Sequence, residues 1–264
     1  MKVVIINCLS DNLAYLLIDE EAKVAYAVDP VNPIKVIEAA KKEGVVIKAV
    51  LTTHHHSDHA GGNDVMKAKL GKDLPIYGMD DRIRAIDHVV KDNAELILGS
   101  LKIKVYHVPC HTTHSCLFYA IDSSQPDAAP VVFTGDTLFI GGCGRFFEGT
   151  GEQMDHALNT VIADLPENTL IYPGHEYTVS NLTFAKHADP NNKDVEEKLN
   201  ESIEIRSKNK CTAPSTVKDE KLFNPFMRIE HLYEKELEEE KSKTRAEAMD
   251  DLRERKNNFI PPAK

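Results

Sequence analysis

Residues 51–63 read LTTHHHSDHAGGN, three histidines in a row, then an aspartate, a fourth histidine and two glycines. The stretch continues KAVLTT, an apolar run of strand length, so its imidazoles fall just beyond the carboxyl end of a strand. Open α/β sheets present their ligand-binding groups there. In extended chain, residues two apart point the same way, so His54 and His56 can grip one ion while His55 turns elsewhere, as a hydrogen-bonding neighbour. Asp58 and His59 come where the chain enters the next helix and can face a second ion. Gly61 and Gly62 let the backbone turn tightly beneath them. Histidine is a borderline ligand and aspartate a harder one, a mixture suited to zinc, iron or manganese. A single histidine here would be an ordinary surface residue, but H-x-H-x-D-H after a strand points to metal.

Four ligands do not complete two metal sites, so further donors are expected at later strand ends. His111 in VYHVPCHTTHS, Asp136 in VVFTGDTLF and His175 in TLIYPGHEY each follow a strand candidate and a proline or glycine. Singly each is weak evidence. In this order, after the histidine-rich stretch, they form a coherent donor set.

Outward from these motifs, β-branched runs predict strands at 3–8, 13–18, 24–28, 47–51, 103–108, 116–121, 131–134 and 170–172. A helix is expected over 33–43, with Pro33 in its first turn and Gly44 after its end. Thr150 and Gln153 form a capping box before another helix. Beyond residue 176 charge-rich helical periodicity takes over, through 191–208 and 227–256, interrupted by CTAPSTVKDEKLFNPF. The expected organisation is an α/β domain over 1–176 and a smaller helical domain over 177–264. The run EKELEEEKSKTRAEAMDDLRERK reads as a solvated helix face.

The 264 residues carry a net charge of −10, which argues against general affinity for nucleic acid or anionic membranes. No apolar span is long enough to cross a bilayer. Five scattered cysteines without a C-x-x-C pair suggest free thiols in a reducing compartment. A cytoplasmic monomer without a transit segment is expected.

The set THHHSDHAGG, PCHT, FTGDTLF and YPGHEYT resembles the metallo-β-lactamase superfamily. Within it, GGCGRFFEGT, FNPFMR and the late RERK resemble glyoxalase II, the hydroxyacylglutathione hydrolases, especially fungal members. The resemblance implies an αββα sandwich followed by a C-terminal helical domain, with a two-metal site. Carried over residue by residue, His54, His56 and His111 would hold one divalent ion, zinc in the first instance. Asp58, His59 and His175 would hold the other, with Asp136 bridging. Where many members read H-T-x-G-H, this chain has HTTHS. His114 then stands at the usual glycine and is not expected to be a ligand.

The resemblance further implies a metal-bridging hydroxide that attacks the thioester of S-D-lactoylglutathione, giving D-lactate and glutathione, with Asp58 and Asp136 as the catalytic carboxylates. A thiolate leaves readily, since its conjugate acid has a pKa of about 8.5, so no nucleophilic serine or cysteine is required. Arg145, Phe147, Tyr177, Arg253 and Lys256 match substrate-binding positions. Phe147 stands where tyrosine is common, which removes a hydroxyl contact. Other readings of the same ligands fit less well: a nuclease would want a basic surface, and a one-iron persulfide dioxygenase would lack the helical tail with R-x-x-K. An electron carrier of the flavodiiron type would carry glutamate in place of His56. A non-catalytic metal-binding module would not need so complete a donor set.

Overall fold

The apolar runs at the start of the chain pair with one another in sequence order. Strand β1 (Lys2–Asn7) lies antiparallel to β2 (Leu13–Asp19), and β2 antiparallel to β3 (Val24–Val28). Helix α1 (Pro33–Glu43) then carries the chain across to β4 (Val46–Leu51), which runs parallel to β3, the connection a parallel pair requires. Its ends are set locally. Pro33 opens the helix, the Asn32 side chain accepts the Lys35 amide, and Gly44 closes it with a left-handed φ of 67°. Short helices α2 (Ser57–Ala60) and α3 (Asn63–Leu70) precede β5 (Ile76–Gly78) and β6 (His88–Val89), which complete a six-stranded sheet in the order β1-β2-β3-β4-β5-β6.

A second sheet is built from β7 (Glu95–Leu98), β8 (Leu101–His107), β9 (Cys116–Asp122) and β10 (Val131–Gly135), antiparallel throughout. In β8, Leu101, Ile103 and Val105 are fully buried while Lys102 and Lys104 point away, the alternation of a sheet with one face in the core. Tyr15 of β2 packs against Phe133 of β10 and against Tyr172, with ring centroids 5.3 and 5.4 Å apart, so the two sheets meet face to face. On the other face of the first sheet, Val36 and Ala40 of α1 join a core with Leu16, Ile18, Val50 and Ile76.

The structure describes residues 1–238 and 243–261, and these form two compact units interleaved along the sequence. The first unit is Met1–His107, His114–Gly135 and Tyr172–His175. The second takes Val108–Thr113, Asp136–Ile171 and the described chain from Glu176 onward. It contains a small hairpin of β11 (Leu138–Phe139) and β12 (Gly142–Cys143), and helix α4 (Gly151–His156), which carries the expected capping box and runs on as a π-helical turn, Ala157–Ile162. Strand β13 (Leu170–Pro173) begins in this unit, where it pairs with β14 (Ser215–Thr216). Its helices are α5 (Thr178–Ala188), α6 (Lys193–Ser207), α7 (Val217–Phe223), α8 (Ile229–Leu232), α9 (Glu234–Glu238) and α10 (Arg245–Asn257). The helical periodicity expected over 227–256 is therefore carried by separate helices, and residues 239–242 of that run lie outside the described residues. Helix α10 packs on α4 so closely that a Cβ at Gly151 would stand 2.4 Å from the Ala246 carbonyl oxygen.

All five cysteines are free. Among the described residues no helix is long and apolar enough to cross a membrane.

Candidate metal centre

Strands β3 and β4 end side by side, and their next residues build the floor of the site. Asp29 leaves β3 with a φ of +45°, and its carboxylate, 3% exposed, reaches across to the segment after β4. Its Oδ1 accepts the Thr53 amide at 2.8 Å, and its Oδ2 accepts the Thr53 hydroxyl at 2.7 Å and His59 Nδ1–H at 2.9 Å. Because the Thr53 hydroxyl hydrogen is committed to Asp29, its oxygen is left to accept from His54 Nδ1, 3.1 Å away. One buried carboxylate thus sets the tautomer of two imidazoles, leaving Nε2 of each without a hydrogen.

His175 is held in the same manner. Its Nδ1 donates to Asp11 Oδ1 at 2.7 Å, and an isolated β-bridge ties it to Asn12. The Asn12 amide nitrogen also donates to the Asp58 main-chain oxygen at 3.0 Å and to Asp58 Oδ2 at 3.1 Å. The consequence appears between the rings. His59 Nε2 and His175 Nε2 stand 3.2 Å apart, both with their Nδ1 hydrogens already spent on carboxylates. Two acceptor nitrogens at that distance oppose each other unless a cation or an added proton lies between them. Asp58 Oδ2 approaches the same point, 3.3 Å from His175 Nε2 and 3.7 Å from His59 Nε2. One donor atom from each of Asp58, His59 and His175 falls within 4.8 Å of the others, so the donor set fits a divalent metal ion. His54 Nε2 and His56 Nδ1 form a second close pair at 3.1 Å.

His55, between them, turns to Asp80 instead, with Nδ1 3.2 Å from Oδ2, and Asp80 is held in turn by Arg82. The His55 ring nevertheless stays beside that of His56, with centroids 4.8 Å apart. His114 stacks on His107, ring centroids 5.9 Å apart, and joins no group of clustered donors among the described residues.

In the second unit, His111 Nδ1 donates to the Arg145 carbonyl at 3.0 Å, which again leaves Nε2 bare, here 3.5 Å from Asp136 Oδ2. A Cβ at Gly144 would lie 1.9 Å from the Asp136 carbonyl oxygen and 3.1 Å from His111 Nδ1, so only glycine permits this approach. The Phe147 ring is exposed and lies 5.3 Å from that of His111. Tyr177 opens α5 and stands edge-on to Phe139 at 5.2 Å. The Arg145 side chain is exposed; its main chain, not its charge, is what touches His111.

Arg253 and Lys256 occupy a different environment from that of surface charges. Arg253 is 6% exposed, donates through Nη1 to the Cys143 carbonyl at 2.9 Å and through Nε to Asn257 at 3.1 Å. Lys256 stands over the Phe184 ring at 5.2 Å. Burial, helped by the neighbouring Arg253 charge, pulls its ammonium down to about 8. Among the described residues no carboxylate pairs with it. Two nearby thiols are disfavoured as thiolates: burial pushes Cys110 far up and Cys143 to about 11.

Asp29, Asp11, Asn12 and Thr53 were not singled out by sequence reasoning. A signal existed: VDP at 28–30 and SDN at 10–12 each put an aspartate within two residues of a strand of the sheet that carries the histidines.

A metal-binding donor set at the carboxyl ends of β-strands, ahead of a helical tail, defines a metallohydrolase of the metallo-beta-lactamase type. Residues 2–175 match the model of the metallo-beta-lactamase superfamily, and residues 176–259 match that of the hydroxyacylglutathione hydrolase C-terminus. The chain belongs to the hydroxyacylglutathione hydrolase family within that superfamily. It is 47% identical over 232 residues to the hydroxyacylglutathione hydrolase of Dictyostelium discoideum, a match covering 86% of each chain. It is 46% identical to the cytoplasmic hydroxyacylglutathione hydrolase of Arabidopsis thaliana, over 87% of this chain and 89% of the relative. In fold it is similar to the crystal structure of ETHE1 from Myxococcus xanthus, with a TM-score of 0.70 at 23% identity, over 99% of this chain and 93% of that one.

Proposed function

We propose that the chain is a metal-dependent thioesterase that hydrolyses S-D-lactoylglutathione to D-lactate and glutathione, the hydrolytic step of methylglyoxal detoxification. One observation carries the chemistry: His59 Nε2 and His175 Nε2 converge to 3.2 Å beside the Asp58 carboxylate. The substrate class follows from the curated relatives, named for acylglutathione hydrolysis.

The proposed ligands are His54, His56 and His111 for one divalent ion and Asp58, His59 and His175 for the other, with Asp136 shared. Covalent continuity supports the place of Asp136. It follows Gly135, which is packed so tightly on Thr53 that a Cβ there would stand 2.5 Å from the hydroxyl, and Thr53 precedes His54. Zinc suits these donors, and so do iron and manganese. When bound by such groups, divalent metals bring the pKa of water toward 7 and polarise a carbonyl. The protein supplies the rest. Asp29, Asp11, Thr53 and the Arg145 carbonyl keep four imidazoles in one tautomer. Asp58, whose side chain is 40% exposed, is the carboxylate best placed to accept a proton from the attacking water. The departing glutathione thiolate needs no acid at neutral pH.

Lys256 is proposed to hold a glutathione carboxylate, because its charge is half-buried and unmatched among the described residues. Tyr177 and the Arg145 guanidinium are proposed as further contacts. Arg253 is tied to the Cys143 carbonyl and to Asn257, and any contact of its own with substrate is through what these two internal hydrogen bonds leave free. The proposed division is a catalytic domain over 1–176 and a substrate-binding domain over 177–264, acting as a cytoplasmic monomer. The test is hydrolysis of S-D-lactoylglutathione followed by the loss of thioester absorbance, with and without prior chelation. Metal-replete protein that leaves the thioester intact would overturn the assignment.

A further inference from the structure

The FNPF segment, residues 223–226, serves no role in the reaction as proposed, yet its asparagine is fully buried and fully engaged. Asn224 Nδ2 donates to the Gly142 carbonyl at 3.1 Å, to the Phe139 carbonyl at 3.3 Å and to Glu220 Oε2 at 2.8 Å, while its Oδ1 accepts the Phe226 amide at 3.1 Å. Glu220, also 0% exposed, accepts the Gly141 amide at 2.9 Å through Oε2 and the Ser215 hydroxyl through Oε1. Asn181 of α5 donates to the Ile140 carbonyl at 3.1 Å, and Arg253 to the Cys143 carbonyl. Every residue from Phe139 to Cys143 thus has a main-chain group held by a buried side chain of the helical tail.

That hairpin has two paired positions on each strand, too few to be rigid by itself. Immediately beyond it, Gly144 donates to Thr137 and Arg145 offers its carbonyl to His111 Nδ1. Arg145 is two residues beyond the hairpin, so a displacement of the hairpin is carried along the main chain to the carbonyl that accepts from His111. We propose that Asn224 and Glu220 are positioning residues for His111: by fixing the 139–143 hairpin they hold the Arg145 carbonyl where it dictates the His111 tautomer. The helical tail then does more than receive glutathione. It sets the donor geometry of a metal ligand more than a hundred residues earlier. The inference rests on His111 being a ligand in the proposed function.

The test compares wild-type holoenzyme with His111→Ala, Asn224→Asp, Glu220→Leu and Glu220→Gln, measuring metal retained per chain against rising concentrations of a competing chelator. Asn224→Asp replaces the donors with a carboxylate facing Glu220, and Glu220→Leu deletes the acceptor. Each should loosen one ion at least about tenfold, the range expected when the partner that orients a ligating histidine is lost, and leave the other ion in place. Glu220→Gln can keep its amide oxygen toward Gly141 and Asn224 and turn its amide nitrogen to Ser215, so it should retain both ions as wild type does. If Asn224→Asp or Glu220→Leu fails to fold, Ser215→Ala removes a single bond from the same clamp and should loosen the same ion by a smaller factor. Wild-type retention in all clamp variants, with an ion lost in His111→Ala, would overturn the inference. Full retention in His111→Ala would overturn the ligand assignment itself.

Discussion

Replacing Asp29 with asparagine should weaken metal binding about a hundredfold while leaving the fold intact. Asparagine is the informative substitution because residue 29 has a φ of +45°, a conformation asparagine accepts and alanine does not. The carboxylate takes three donors: the Thr53 amide on Oδ1, and the Thr53 hydroxyl and His59 Nδ1 on Oδ2. An amide cannot serve all three. With its oxygen at the Oδ2 place, its NH2 meets the Thr53 N–H, and a buried donor is left without an acceptor at a cost of about 1–3 kcal/mol. Turned over, it satisfies that N–H but presents hydrogens to the Thr53 hydroxyl and to His59 Nδ1. His59 must then shift its hydrogen to Nε2 and cease to be a donor to metal. The Thr53 hydroxyl, released, can donate to His54 Nδ1 and impose the same reversal there. Loss of one such orienting partner costs about 10–100-fold in metal affinity, or roughly 1.4–2.7 kcal/mol. Two imidazoles depend on Asp29, so the upper end is expected. The assay is chelator competition on the metal-loaded protein, with thermal unfolding as a control for folding. An affinity within twofold of wild type, in a folded variant, would show that the tautomers are not governed by Asp29 and would refute the reasoning.

His175→Ala should reduce bound metal from close to two equivalents per chain to one, by elemental analysis, with most activity lost; two retained ions would remove His175 from the ligand set. Lys256→Ala should raise KM for the glutathione thioester more than it lowers kcat, because the contact is remote from the reacting bond. Since the Lys256 ammonium is pulled down to about 8, wild-type KM should climb as pH passes through 8, and Lys256→Arg should flatten that rise; a KM independent of pH from 7 to 9 would exclude the contact. Burial pushes Glu220 up to about 7 from 4.5, against the pull of Ser215, Gly141 and Asn224. The native state therefore binds more protons than the unfolded chain between those values, and stability should fall by roughly 3 kcal/mol as pH rises from 4.5 to 7. Glu220→Gln should remove that slope in denaturant midpoints, and an unchanged slope would refute it.

What the sequence revealed of the site depended on periods short enough to read. H-x-H-x-D-H is legible because extended chain alternates its side chains, so the approach of His54 to His56 follows from spacing. The long strands announced themselves by β-branched runs, whereas β5, β6 and β14 are two or three residues long and carry no period to detect. Arg253 and Lys256 were legible as a pair but not as buried. The clue was their phase: Met249, Leu252, Arg253 and Lys256 recur at i, i+3, i+4 and i+7, one face of α10, and that face is the one that packs inward. Charge on an apolar stripe was the sign that these cations do not lie on the open surface.

The orienting groups were hidden for a different reason. Asp29 matters because of where Nδ1 of His59 falls, thirty residues on, and Asp11 because of His175, 164 residues on. Such contacts have no period, and a short-range motif cannot encode them. FNPF shows the limit most clearly. Locally it is a helix end with an asparagine cap and a proline, which is all that a turn requires. The same amide nitrogen reaches carbonyls 82 and 85 residues earlier, so one residue closes a turn and clamps a hairpin at once. A local explanation that already accounts for a residue type conceals its distant role. Where a turn asparagine is completely buried, its second pair of hydrogen bonds is the place to look for the constraint that the first pair does not explain.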